Sequence, residues 1–266
     1  VEEKIKSLEE AVDLIQDCSI LALGGNLIHR SPAVLAMALG LAGKKGLHLI
    51  KTAGAYDVDF LCAMGSVRAV EAGYIGYENE FGLADFYRKG VEEGRIEALE
   101  QACYTVIAGL RAAIAGVTFM PVVGLEGSDL VTARGFKKVK DPYGERDFYA
   151  IQAITPDWTI LHVQKADREG NCVINGPYYE DPIMARAGKK VLVTAEEIVE
   201  EDFSDNPALT AIPGFLVDAV VEIPRGAFPG TCAFYYGEDG DFIKKFKACR
   251  SSEDIRKLVQ EREISV

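Results

Sequence analysis

The residues best suited to chemistry lie in one short segment, Gly24-Gly-Asn-Leu-Ile-His-Arg30, followed directly by Ser31-Pro32. The Asn26 carboxamide can donate to a carbonyl oxygen that gains negative charge during a reaction. The backbone N–H groups of Gly24, Gly25 and Asn26 can do the same. The guanidinium of Arg30 has the fork geometry that grips a substrate carboxylate; the alternative is a surface salt bridge. His29 is read as a loop histidine. The glycine pair lets the backbone approach another object without Cβ interference. Ser31 suits a helix N-cap and Pro32 the first helical position. A strand that ends in glycines and feeds a helix is where open α/β sheets hold ligands. A tight turn without a ligand is the competing reading, because a short glycine motif is a weak signal.

Other candidates are more dispersed. Glu78 and Glu80 flank Asn79. In an extended segment they would share one side, where a pair of carboxyls can hold a proton or act as a base. The alternative is two solvated acids. Ser128 and Asp129 follow the loop Gly124-Leu-Glu-Gly127 and either line a cleft or cap the next helix. Six cysteines and three histidines show neither a C-x-x-C pair nor metal-ligand spacing, so no metal site and no disulfide framework is expected. No nucleotide-binding glycine fingerprint, phosphate loop or G-x-S-x-G elbow occurs.

The elements that would carry these residues alternate along the chain. Ser7-Leu-Glu-Glu10 matches a capping box and opens an amphipathic helix to about residue 16. Strands are expected at 20–23, 48–52, 67–72, 118–123, 158–163, 190–194 and 217–223. Helices are expected at 32–42, 81–93, 102–115, 182–187, 241–248 and 251–262. The run 118–123 reads as a fully apolar strand, and 141–146 as a polar insertion or hairpin. Near-continuous apolar strands between helices imply a mainly parallel sheet covered on both faces. One domain, spanning 1–266, is expected.

Composition sets limits. The 266 residues are 48% hydrophobic and 26% charged, with a formal net charge of −12. That charge argues against a nucleic-acid partner and against adsorption to an anionic membrane. No apolar run is long enough to span a bilayer, and the charged start Val1-Glu-Glu-Lys4 lacks a signal peptide's apolar core, so a cytoplasmic address is expected.

Three motifs together resemble the family I coenzyme A transferases. They are Ala22-Leu-Gly-Gly-Asn26 with Arg30-Ser-Pro32, then His162-Val-Gln-Lys-Ala-Asp-Arg-Glu-Gly-Asn171, and Ile212-Pro-Gly-Phe-Leu-Val-Asp218 with Pro224-Arg-Gly-Ala-Phe-Pro229. The last is similar to the α-type subunit of the glutaconate branch. The resemblance implies a three-layer α/β/α open sheet and an active site where an α-type and a β-type subunit meet. It also implies CoA thioesters as substrates, with no permanently bound cofactor. The nucleophilic glutamate that forms the enzyme–CoA thioester would sit on the β-type partner, in an α2β2 or higher heteromer. The expected reaction moves CoA between an acyl-CoA and a carboxylic acid such as glutaconate.

The resemblance also places Cys103 where related transferases carry a glutamine near the thioester, with Gln101 one small shift away. Because Cys103 departs from that pattern, a CoA-thioester hydrolase or decarboxylase on the same fold stays open, as does a non-catalytic structural subunit. Cys103 is equally readable as a helix-packing cysteine. The turn formed by Asp167, Gly170 and Asn171 is read as structural.

Overall fold

The computed structural model describes residues 4–203 and 207–261. The capping box forms: the Glu10 N–H donates to Ser7 Oγ, and the Ser7 N–H donates to the Glu10 carboxylate. It opens α1 (Leu8–Leu14). Then come β1 (Ile20–Leu23), α2 (Ala33–Leu41), β2 (Leu47–Gly54), α3 (Tyr56–Ala63) and β3 (Val67–Tyr77). A single turn α4 (Glu78–Phe81) and a short β4 (Gly82–Leu83) precede α5 (Asp85–Glu92), β5 (Glu97–Glu100) and α6 (Cys103–Ile114). A small unit follows, made of β6 (Phe119–Val122), α7 (Asp129–Arg134), β7 (Lys137–Lys140) and β8 (Asp147–Gln152). The chain closes with β9 (Trp158–Asp167), β10 (Cys172–Val173), α8 (Asp181–Ala187), β11 (Lys190–Val199), β12 (Ala219–Glu222), α9 (Gly240–Ala248) and α10 (Ser252–Gln260).

The main sheet runs β12-β11-β9-β1-β2-β3-β4, with β5 also beside β3 and β10 beside β9. Every pairing among β12, β11, β9, β1, β2, β3 and β5 is parallel; β4 and β10 are antiparallel additions. From β1 the chain builds outward through β2 and β3. It then returns to place β9 on the other side of β1 and builds away through β11 and β12. The order therefore reverses between β1 and β9, and the crevice beyond the carboxyl ends of those two strands is the expected ligand position.

Side-chain alternation explains the layers. Leu21 and Leu23 point into a core shared with α1, α2, α3, α9 and α10, while Ala22 points to the opposite face, against α6 and α8. Both faces are covered, which is why the strands read as apolar runs. No helix among the described residues is long and apolar enough to cross a membrane.

Two expectations change, and the polar insertion or hairpin expected at 141–146 takes the second form, between β7 and β8. The run 118–123 is not a central strand: β6 pairs only with β8 in a separate three-stranded antiparallel sheet, and Phe119 and Val123 stay exposed. The helix expected over 81–93 starts later, because Gly82 takes φ +74 and breaks the turn before Asp85. Residue 262, the expected end of the last helix, lies outside the described residues.

Candidate active site

The glycine segment leaves β1 at the switch point and folds back as a tight loop. The amides of Gly24, Gly25 and Asn26 are already committed. The Gly24 N–H donates to Ile160 O at 2.8 Å, the Gly25 N–H to Asp181 Oδ1 at 2.8 Å, and the Asn26 N–H to His29 O at 2.9 Å. The expectation that these three backbone groups serve as oxyanion donors is therefore corrected, since they hold the loop's own shape. The Asn26 carboxamide is different. It is half-buried and makes no hydrogen bond to another described residue, so it is a side-chain donor of the loop that stays available.

The glycines are required by space. A Cβ on Gly24 would lie 2.5 Å from Leu161 Cδ2 and 2.8 Å from Asp181 Oδ1. Gly25 has φ +70, and a Cβ there would lie 2.4 Å from Arg30 O.

Two buried ion pairs clamp the loop. On one side Lys51, with no exposed surface, donates to Gly24 O and Ser31 Oγ, both at 2.9 Å, and pairs with Asp57. On the other side Arg30, 4% exposed, pairs with Asp181 and donates to His162 O at 2.7 Å and Pro177 O at 3.1 Å. The expectation that Arg30 grips a substrate carboxylate is corrected accordingly. Its guanidinium faces inward, and Asp181, His162 O and Pro177 O already occupy both of its terminal nitrogens.

Glu78 and Glu80 do not share a side. They sit in the single helical turn α4, where a spacing of two separates side chains by more than a right angle. Glu78 turns toward the loop, with Oε1 2.8 Å from His29 Nε2. Glu80 instead lines a cleft between α5 and α9. Ser128 is the N-cap of α7, its hydroxyl accepting from the Leu130 N–H, and it lies on the small sheet's helix. The expected substrate contact for Glu80 and Ser128 thus gives way to a cleft position and a cap.

Cys103 begins α6 and packs against Gly73, where a Cβ would come within 2.8 Å of its sulfur. Its thiol donates to Thr52 O at 3.4 Å. Burial, with a smaller contribution from the Glu180 carboxylate, raises its pKa, which keeps it a neutral thiol rather than a nucleophilic thiolate. Gln101 cannot take over the site. Its amide donates to Glu71 Oε1 at 2.7 Å, and its oxygen accepts from Thr105 at 2.5 Å.

Glu180 carries no motif that singles it out in the sequence. It immediately precedes α8 and accepts from Thr52 Oγ1 at 2.9 Å, which brings a carboxylate to the ends of β2 and α6 beside Cys103. The acid pair Glu180-Asp181 before Pro182 is the available signal, because acids gather at helix starts.

The remaining motifs are structural. Asp167 accepts from Asn171 and Phe203, and Asn171 accepts from the Gly214 N–H. His162 is fully buried, with Nδ1 2.9 Å from Thr194 Oγ1 and Nε2 2.8 Å from Glu196 Oε1. His162, Glu196 and Cys232 lie close enough together to hold a metal. Both ring nitrogens already have partners, however, and Glu196 also accepts from Tyr236 and the Arg225 N–H.

Comparison with known proteins bears on the family and the fold. The family model described as coenzyme A transferase matches residues 5–223. A protein of Archaeoglobus fulgidus is 36% identical over 95% of this chain, which spans only 57% of that protein's length. The A-type subunit of the Acidaminococcus fermentans glutaconate CoA-transferase is 28% identical, covering 97% of this chain and 87% of its own. The crystal structure of glutaconate coenzyme A-transferase from that organism superposes with a TM-score of 0.91 at 27% identity, over 99% of this chain and 89% of the other. A variant of the decarboxylase AibA/AibB superposes with a TM-score of 0.88 at 29% identity, over 97% and 99% of the two chains.

Proposed function

The chain belongs to the coenzyme A transferase family, and from that premise we propose that it is the A-type half of a heteromeric enzyme moving CoA between an acyl-CoA and a carboxylic acid. The observation that carries this reading is the glycine loop at the β1/β9 switch point. It is clamped by two buried ion pairs and leaves one side-chain amide, that of Asn26, uncommitted. Pre-oriented donors of this kind stabilise the oxyanion that forms when a carboxylate attacks a thioester carbonyl.

The attacking carboxylate belongs, in this proposal, to a B-type partner. The partner would dock where apolar side chains remain exposed: Val117, Phe119 and Val123, at and beside β6, stand between a third and a half in solvent. The acid is a small mono- or dicarboxylate of the glutaconate kind, and CoA enters as substrate rather than as a resident cofactor. Likeness to a decarboxylase, together with the neutral Cys103 thiol near the site, keeps a second reading in play, in which the same half-site serves hydrolysis or decarboxylation of an acyl-CoA.

Mixing the purified chain with its B-type partner tests the main reading. The separate chains should be inactive, and the mixture should transfer CoA from an acyl-CoA to a free acid. Turnover by this chain alone would overturn the assignment.

A further inference from the structure

His29 lies between a hydroxyl and a carboxylate. Its Nδ1 is 2.9 Å from Thr231 Oγ1, and its Nε2 is 2.8 Å from Glu78 Oε1. A carboxylate accepts only, so Nε2 carries the proton it shares with Glu78. Nδ1 then offers a lone pair, and the Thr231 hydroxyl donates to it. This order of hydroxyl, imidazole and carboxylate is the polarity of an acid–base relay.

Three separate parts of the chain are brought together to build it. The backbone holds them: the Arg30 N–H donates to Thr231 O at 2.7 Å, and the Thr231 N–H to Ile28 O at 2.8 Å. Glu78 takes φ +28 and Arg30 φ +53, sparsely populated values for side-chain-bearing residues that cluster where function constrains the backbone. Both His29 and Thr231 line a cavity of about 180 Å³ beside Arg30, Asn175 and Tyr179. That volume admits a few waters or the carbonyl end of an acyl group, at roughly 30 Å³ per water. Arg30 also lines it, with its guanidinium paired to Asp181.

We propose that Thr231, His29 and Glu78 form an acid–base relay that activates water in this cavity and gives the complex a thioester-hydrolase activity besides transfer. The inference rests on the reading that the chain shares an acyl-CoA site with a partner. In the hydrolytic step the water oxygen bonds to the thioester carbonyl carbon. The water proton passes to Thr231 Oγ1 as that hydroxyl gives its own proton to His29 Nδ1. The C–S bond then breaks, and the CoA thiolate takes the proton back along the same path. The products are a carboxylic acid and free CoA thiol, with no other reactant consumed. Transfer through a carboxylate nucleophile needs no such proton movement, so the relay has a role only when water attacks. Glu78 acts here as a positioning residue, through the imidazole.

The test uses the chain assembled with its partner, glutaryl-CoA without an acceptor acid, and oxygen-18 water. Thiol release should occur, with the label appearing in glutarate. His29→Asn and Thr231→Val should each lower the ratio of hydrolysis to transfer, on the order of 10²-fold. Glu78→Gln should lower it too, and Glu78→Asp should restore part of the loss. A complex that transfers CoA yet releases no labelled acid would overturn the relay while leaving the transferase reading intact. So would hydrolysis undiminished in His29→Asn. A complex that does neither would overturn the transferase reading, and the relay would then stand or fall on nitrogen-15 spectra of the full chain, whose three histidines give separable imidazoles. Those spectra should show neutral His29 protonated at Nε2, with the Nδ1 signal displaced in Thr231→Val; protonation at Nδ1 would reject the relay.

Discussion

The Gly24 carbonyl oxygen accepts from the Lys51 ammonium at 2.9 Å, with both residues buried. A charged group thus reaches under the strand end to hold the first residue of the functional loop, and Asp57 balances its charge. Removing one partner of a buried pair strands the other, which costs about 3–5 kcal/mol. Lys51→Ala should therefore destabilise the chain by that order and lower transfer activity in the complex. Lys51→Met combined with Asp57→Leu should recover much of the stability but not the activity. Thermal unfolding of the three proteins checks this, and equal melting temperatures for wild type and Lys51→Ala would contradict it.

Arg30 should behave as part of the scaffold. Arg30→Ala leaves Asp181 buried without its partner, for a loss of the same order. Arg30→Lys should also be costly, because one ammonium cannot reach Asp181, His162 O and Pro177 O from a single position. Kinetics with a monoacid and a diacid acceptor separate the possibilities: KM should shift alike for both. A rise confined to the diacid would restore Arg30 as a carboxylate grip.

Asp59 sets a pH dependence of stability. It is buried beneath Tyr77 and accepts from Tyr77 OH at 3.1 Å and the Tyr87 N–H at 2.8 Å. Burial pushes its pKa up to about 7, against about 3.9 in an unfolded chain. A raised folded value means that the native state holds the proton more tightly. Its contribution is complete below about pH 4 and is lost as pH rises through 7. At about 1.4 kcal/mol per pKa unit, the loss is on the order of a few kcal/mol. Between pH 5 and pH 8 the wild type should lose more melting temperature than Asp59→Asn does. Parallel curves for the two proteins would show that Asp59 is ionised throughout.

The same buried acids explain why parts of the fold were hidden in the sequence. A strand such as β1 is legible because both its faces are covered and every residue is apolar. Helix α3 opens with Tyr56-Asp-Val-Asp59, which reads as polar; only the folded chain shows Asp57 answering Lys51 and Asp59 answering two tyrosine-borne donors. The run at Phe119 misled in the opposite sense: it is apolar yet lies at the edge of a small sheet. At the site, Gly24 and Gly25 were legible because a close approach needs glycine. The inward turn of Arg30 was not, because it depends on Asp181, 151 residues away in sequence. The pairing of His29 with Thr231 spans 202 residues and was equally out of reach of local pattern.

Asn26 offers the most direct test of a catalytic glycine loop. Its carboxamide is a loop side-chain donor left free by the surrounding hydrogen bonds, and it would act chiefly on the developing oxyanion. Loss of one such donor costs on the order of 10²–10³ in kcat. Steady-state CoA transfer should therefore be compared between wild-type and Asn26→Ala complexes, with their intact assembly confirmed by size-exclusion chromatography. In the variant kcat should be lower by about 10²-fold, with KM changed far less. Wild-type kcat in an intact Asn26→Ala complex would show that the loop is only a turn and would contradict its catalytic role.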